Sequence, residues 1–430
     1  MLIEFSVGNY RSFKEQVTFS MVAANLVSKD KSLDTTNVFA IDQKLNLLKS
    51  AAIYGANASG KSNLAKALSF MKWFMVNSSK ETQSTDEIGV EPFRLSTETE
   101  GKPSYFELVF LMDGRKYRYG FEVTQERVIS EWLFYVPNLR ENKLFERQLD
   151  EIKSSKKYNA DGIQQRTRSN ALFLSVSAQF NVDLAENILE WITDKLNIIS
   201  GLHDEDYLNY TVRCFINNKN RADIIQLIKK LDLGISEVQV EQEDFTIDSL
   251  PDEMPDDLKK FIAKVGGGKA TATSIGISHR KFDIDGNYKS IEEFDLESHE
   301  SEGTKKVFAL AGPLITALKE GEILIIDEFD ARLHPLISLA IVKLFNSEEA
   351  NPNNAQLIFM THDTNLLNNK IFRRDQVWFT EKNRYGATDL YSLAEYKIRN
   401  DASFESDYIK GRYGAIPYIG NLNHLIESNV

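Results

Sequence analysis

The chain has 430 residues, 42% apolar and 27% charged, with 9 Pro and 22 Gly, an ordinary globular composition that excludes a fibrous or disordered chain and has room for about two to three domains. Its formal net charge of −12 argues against coating nucleic acid by overall charge, although a local basic groove can lie beneath such a balance. No run approaches the ~18 apolar residues of a membrane span, the start MLIEF lacks the basic and apolar regions of a signal peptide, and the single cysteine, Cys214, has no companion for a disulfide or a zinc site; a soluble cytoplasmic protein is expected.

The first segment, LIEFSVGNYRSFKEQVTFSM, alternates apolar and polar residues on both sides of Gly8-Asn9, the pattern of two adjacent strands. Residues 47–54 follow as a mostly apolar run interrupted by Lys49 and Ser50, and they deliver the octet GANASGKS at 55–62. Gly, four residues, Gly, Lys and Ser is the Walker A pattern of a phosphate-binding loop. The pattern has meaning only where a strand leads in and a helix leads out, so that backbone N–H groups and the positive helix end converge on phosphate. Residues 63–76 supply the helix, with Leu64, Leu68, Met71 and Met75 at helical spacing. Gly55 and Gly60 permit close backbone approach, Lys61 is placed to reach the β- and γ-phosphates, and the Ser62 hydroxyl to ligate Mg²⁺. With Asn57, Ser59 and Asn63 they form the expected binding set for ATP.

Three alternating runs between 105 and 136 are joined in part by Asp113-Gly114, a two-residue hairpin signal, and predict an antiparallel patch. The period then changes. Leu184, Ile188, Leu189, Ile192 and Leu196 mark one helical stripe, and Ile224, Ile225, Ile228 and Leu231 another. The Pro- and Gly-rich stretch 248–274, with a short helical run at 258–265, reads as an exposed excursion. RKFDIDGNYKSIEEF predicts a hairpin turning at Asp285-Gly286.

Ser301-Glu302-Gly303-Thr304 opens a helix with Val307, Leu310, Leu314 and Leu318 at core spacing; small donors at a positive helix end suit an anion, and equally an ordinary N-cap. GEILIIDE, ending at Asp327 and Glu328, is an apolar strand terminated by two carboxylates. Asp327 is placed to hold Mg²⁺ opposite Ser62, and Glu328 to accept a proton from water attacking the γ-phosphate. QLIFMTHD is a further apolar strand with His362 just past its end, where a side chain overlooks the crevice of a parallel sheet. The tail DYIKGRYGAIPYIGNL, 407–422, carries three tyrosines and reads equally as a packed segment or a partner surface.

Together GANASGKS, SEGT, ILIIDE, FDARLHP and THD resemble the ABC-type ATPases of the SMC, RecF and OLD group. More narrowly, YRSFKE, the antiparallel lobe, LHP and the tail resemble the AAA_15/AAA_21 and RloA-like ATPases of bacterial abortive-infection and antiphage systems. The resemblance implies an α/β fold: an ABC-type P-loop ATPase head with an antiparallel β lobe and an inserted helical subdomain, divided as 1–181, 182–274, 275–395 and a tail at 396–430. It further implies a homodimer with ATP sandwiched between heads, Ser301 and Gly303 acting in trans, Asp330 at the dimer seam, His362 as the switch histidine, and an effector of RloB type or another nuclease. Two departures stand out. SEGT replaces the transporter form LSGGQ, which puts the Glu302 charge near the trans phosphate, and the nearest Gln beyond the Walker helix, Gln83, lies in a loop-like KETQSTDE. A DNA-repair role of RecF or SMC type is the alternative, with Lys153, Lys156, Lys157, Arg166 and Arg168 as candidate DNA contacts; a TOPRIM nuclease domain of OLD type does not fit in the residues after Glu395.

Overall fold

A computed structural model describes residues 1–81, 83–137, 140–231, 234–246, 269–399 and 402–420; the helical run expected at 258–265 lies outside them. Contacts divide the chain into two units, 1–202 with 317–331 and 338–430, and 203–316 with 332–337.

The first unit begins with β1 (Leu2–Gly8), β2 (Val17–Ser20), β3 (Val38–Ala40), β4 (Asn46–Leu48) and β5 (Ser50–Tyr54), followed by the helix Lys61–Asn77. The expected strand at 47–54 is thus two strands: β4 pairs with β3, and β5 enters another sheet, the break falling at Lys49. Next come β6 (Ser104–Met112), β7 (Arg115–Val123), β8 (Val128–Val136), β9 (Asn142–Gln148) and β10 (Glu151–Ser154). These join β1 and β2 in an antiparallel sheet of order β10-β9-β8-β7-β6-β1-β2. Asp113 and Gly114 both have left-handed φ, 51° and 69°, which matches the right-handed twist of β6 and β7 across a two-residue turn.

β11 (Leu196–Ser200) follows the helix Asp183–Lys195, whose buried face is Ala185, Ile188, Leu189 and Ile192. Leu196 therefore starts a strand, paired in parallel with Ile323, and does not extend the helical stripe. Residues 182–200, expected with the helical insertion, lie in the first unit: β-branched Ile198 and Ile199 suit a strand once a sheet edge is offered.

The second unit holds the helix Arg221–Lys230, where the stripe of Ile224, Ile225 and Ile228 predicts one, a further helix Glu205–Ile216, and an antiparallel sheet of β12 (Ile235–Thr246), β13 (Lys269–Phe282) and β14 (Tyr288–Asp295). β13 and β14 meet at the predicted Asp285-Gly286 turn, where Gly286 has φ 81°. The helix Glu302–Glu320 contains Pro313. Proline has no N–H for the carbonyl four residues back, and the Thr211 hydroxyl donates to that carbonyl, Ala309 O, at 2.7 Å.

The chain returns to the first unit with β15 (Ile323–Asp327), β16 (Gln356–Met360), β17 (Val377–Lys382) and β18 (Thr388–Ser392). The second sheet has the order β11-β15-β16-β5-β17-β18, parallel except for β17 with β18. β5 is buried throughout, as expected of a central parallel strand. The Lys61–Asn77 helix shares one core with both sheets: Phe74 packs edge-on against Phe121 of β7, and Leu64, Leu68 and Met71 lie in the same cluster as Ile53 and Ile325. Burying each such side chain contributes about 1.5–3 kcal/mol, enough for the helix start to be held firmly at the sheet's carboxyl edge.

Candidate active site

β5 delivers the 55–60 loop to that edge, and the helix begins at Lys61 with Gly60 as its N-cap at φ 116°. A Cβ on Gly60 would sit 2.4 Å from Thr388 Oγ1, and one on Gly55 would sit 2.5 Å from Thr380 O, so both glycines are required by close packing against β17 and β18. Lys61 is buried, and its ammonium spans the loop by donating to Gly55 O at 2.8 Å and Ala56 O at 3.3 Å. Burial pushes the Lys61 pKa below its ordinary value, while Glu328, Asp327 and Asp330 pull it back up. Three parallel strands thus bring four segments to one edge: β5 the loop, β15 the carboxylates, β16 the histidine, and the helix Lys61–Asn77 its N-terminus.

The open cavity here, about 570 Å³, is lined by residues 57–63 with Glu328, His362 and Lys382, a volume suited to a nucleotide's phosphates. Asp327 ends β15 with Oδ1 buried and without a hydrogen-bond partner among the described residues. Glu328 has φ 54°, a left-handed conformation uncommon for a side chain of this type and frequent at functional turns. A Cβ on Gly201 would meet Glu328 O at 1.9 Å, so the strand end beside this turn has to be glycine. Burial first, then the Lys61 charge, lowers the His362 pKa below its usual value, which favours the neutral imidazole. Asp330 Oδ1 accepts from Thr361 Oγ1 at 2.6 Å and His362 N at 3.2 Å, fixing the histidine backbone to the segment that follows Asp327 and Glu328.

Not every residue of the expected set points its side chain at the cavity. The Ser59 hydroxyl is 2.6 Å from Thr380 Oγ1, and the Asn63 amide donates to Ser12 Oγ at 2.7 Å. Ser12, Thr380, Thr388 and Lys382 are the neighbours that sequence reading missed; each is far from the loop in the chain, and only strand pairing brings it there. Gln83 is exposed, and its carbonyl accepts from Asn170.

In the second unit Ser301 caps the helix Glu302–Glu320, its Oγ accepting from Thr304 N at 3.2 Å, while Gly303 lies against Arg332 O. Glu302 is held by Arg332 at 3.0 Å and Lys305 at 3.1 Å, so the charge that sets SEGT apart is neutralised locally. Of the candidate DNA contacts, Lys153 pairs with Glu151, Arg166 lies over the Phe180 ring and Arg168 donates to Ser78 O. Among the described residues no three His, Cys, Asp or Glu side chains gather as a metal cluster, and no helix is long and apolar enough to cross a membrane.

The tail divides at Ala415. Tyr408 packs on Tyr54 and Phe379, Tyr413 on Phe379, and Tyr391 donates to Tyr413 O at 2.7 Å. These partners adjoin Gly55 and Thr380, so the packed part of the tail braces the 55–60 loop from behind. Beyond it Ile416, Tyr418 and Ile419 are 38%, 97% and 71% exposed.

A sequence model of the family described as "AAA domain, putative AbiEii toxin, Type IV TA system" matches residues 50–368. None of the curated proteins matches the chain. Among solved structures, the chain is similar to the SMC head domain from Thermotoga maritima, with 14% identity over 91% of this chain and 98% of that one and a TM-score of 0.38. It is also similar to the SmcHead bound to the C-winged helix domain of ScpA, with 16% identity over 91% and 97% and a TM-score of 0.40. The recombination mediator RecF with ATP gives 15% identity over 91% and 99% and a TM-score of 0.35.

Proposed function

The chain belongs to this AAA-domain family and is a P-loop ATPase of its type, and from that premise we propose that it is an ATP-driven switch: two copies close on each other around ATP, hydrolysis reopens them, and an effector protein, of RloB type or another nuclease, reads the difference in bacterial antiphage or abortive-infection defence. The observation that carries this reading is the convergence of Lys61, Ser62, Glu328 and His362 on one cavity, with Asp327 ending β15 immediately before Glu328. A two-state switch needs binding energy between heads that exists in one nucleotide state only, and hydrolysis supplies the change of state.

In this reading Lys61 exchanges its carbonyl partners for β- and γ-phosphate oxygens, and the loop N–H groups orient the chain of phosphates. The orphaned Asp327 Oδ1 and the Ser62 hydroxyl fit a magnesium ion, which takes one or two protein oxygens and completes its shell with phosphate and water. Bound there, the ion would offset the charge gathered on the β- and γ-phosphates. Glu328 accepts the proton of the attacking water, and neutral His362, set by Asp330, contacts the terminal phosphate. Ser301 and Gly303 of the second copy face that phosphate, with Glu302 already neutralised by Arg332 and Lys305.

Mixing two inactive variants tests the arrangement. Ser301→Arg and Lys61→Ala are each expected to be ATPase-dead, and their mixture to regain activity, up to one composite site per mixed dimer. Full ATPase activity of Ser301→Arg alone would rule out the trans role.

In this reading the effector docks on the exposed residues around Tyr418 and Ile419. Deleting 416–430 should leave ATPase activity and dimerisation intact and abolish copurification of the effector encoded beside the gene, whereas deleting from 404 should also silence the ATPase, because Tyr408 and Tyr413 go with it. Unchanged copurification after the shorter deletion would move the docking surface elsewhere.

A further inference from the structure

The 55–60 loop is gripped by a hairpin more than three hundred positions later in the chain. Thr388 Oγ1 donates to Ser59 O at 2.7 Å, and Thr380 Oγ1 shares a hydrogen bond of 2.6 Å with Ser59 Oγ. One residue is therefore held through its backbone by β18 and through its side chain by β17. Strand pairing fixes the spacing of the two hydroxyls, since Thr380 lies opposite Leu390 and Thr388 opposite Lys382. A third tie closes the ring: Thr388 N donates to Ser12 O at 2.7 Å, and Ser12 Oγ accepts from Asn63 in the first turn of the helix.

The loop needs such a grip. Ala58 and Gly60 both have left-handed φ, 61° and 116°, and for alanine that conformation is unfavourable without outside support. Lys61 is the tie across the loop's inner side, through Gly55 O and Ala56 O, and in the proposed mechanism it leaves those carbonyls when nucleotide enters. At that moment the loop's shape depends on what holds it from outside, namely Thr380 and Thr388. Both hydroxyls and their partners are buried, so water does not replace them. Lys382, two residues after Thr380 on the same face of β17, lines the cavity; the hairpin that grips the loop thus also reaches the ligand side.

We propose that Thr380 and Thr388 are positioning residues for nucleotide binding: they clamp Ser59 so that the 55–60 backbone keeps its phosphate-binding shape after Lys61 turns to the ligand. The proposal rests on the ATPase reading above. It predicts an effect on affinity and little on turnover, because neither hydroxyl faces the reacting atoms.

The experiment measures ATP affinity by calorimetry, together with KM, kcat and melting temperature, for Thr388→Val, Thr388→Ser, Thr380→Val and the full-length wild type. Each Val variant should weaken ATP binding by about tenfold, the size of one hydrogen bond's contribution, and raise KM in step. The kcat at saturating ATP should stay within about twofold, and Thr388→Ser, which keeps the hydroxyl, should bind within about twofold of wild type. Val variants that fold and bind ATP as wild type does, with wild type binding normally, would overturn the clamp and leave the ATPase reading standing. Equal losses in kcat and affinity, or a Ser variant as weak as Val, would overturn it too, by showing general damage in place of positioning. Wild-type protein that binds no ATP would overturn the ATPase reading and the clamp together. Should Thr388→Val fail to fold, Thr380→Val and Thr388→Ser give the same decision.

Discussion

Lys61→Ala is expected to lower ATP affinity by about 10²- to 10³-fold, the range seen when one partner of a buried, hydrogen-bonded charge pair is removed. The Lys61 ammonium is already desolvated and already directed across the loop, so little reorganisation stands between its resting position and the phosphates. Burial still lowers its pKa, and the carboxylates of Glu328, Asp327 and Asp330 offset only part of that cost. Alanine removes the cation and leaves those carboxylates facing an incoming polyanion, which adds repulsion to the lost attraction. Direct calorimetric titration checks the result, and unchanged affinity would sink the Walker assignment. Folding should survive, because the loop retains Thr380 and Thr388.

Glu328→Gln should do something different: bind ATP normally and hydrolyse it more slowly by about 10²-fold or more, the contribution of a positioned general base. Glutamine has nearly the same shape and keeps the left-handed backbone at 328, so loss of rate would report proton acceptance and not a displaced turn. A protein that binds ATP and cannot hydrolyse it should accumulate in the closed state, and sedimentation at saturating ATP should show a dimer. A strictly monomeric variant under those conditions would count against closure around ATP, whereas a rate close to wild type would take Glu328 out of the chemistry.

What the sequence revealed and what it concealed divide along a physical line. GANASGKS and ILIIDE are legible because each site segment is local: a buried strand reads as an apolar run, and its polar residues begin where the strand ends. The hairpin at Asp113-Gly114 is legible because two left-handed residues in succession leave few residue types. Leu196 misled, since it sits four residues after Ile192 and satisfies the helical period as well as any helix residue, and only its pairing with Ile323 makes it a strand. Ser12, Thr380 and Thr388 carry no local mark, because a lone hydroxyl acquires its role from whichever loop the topology lays against it. The tail shows the same limit: Tyr413 is 1% exposed and Tyr418 is 97% exposed, and nothing in an aromatic's own neighbours along the chain separates the two.

The place of β5 in the sheet has a bearing on how the protein is made. It is the first of the six strands to leave the ribosome, yet its neighbours are β16 and β17, and about 300 residues must still be synthesised before the nearer of them exists, roughly 15–60 s at usual translation rates of about 5–20 residues per second. During that interval the Walker strand has no sheet to join, and contacts so distant in sequence form slowly even once both partners are present. The hydroxyl of Thr388 arrives later still. A nascent chain, or one cut short by a premature stop anywhere before that residue, therefore carries the full phosphate-loop sequence without the walls that shape it, and the loop can take its final form only after Thr388 has been released.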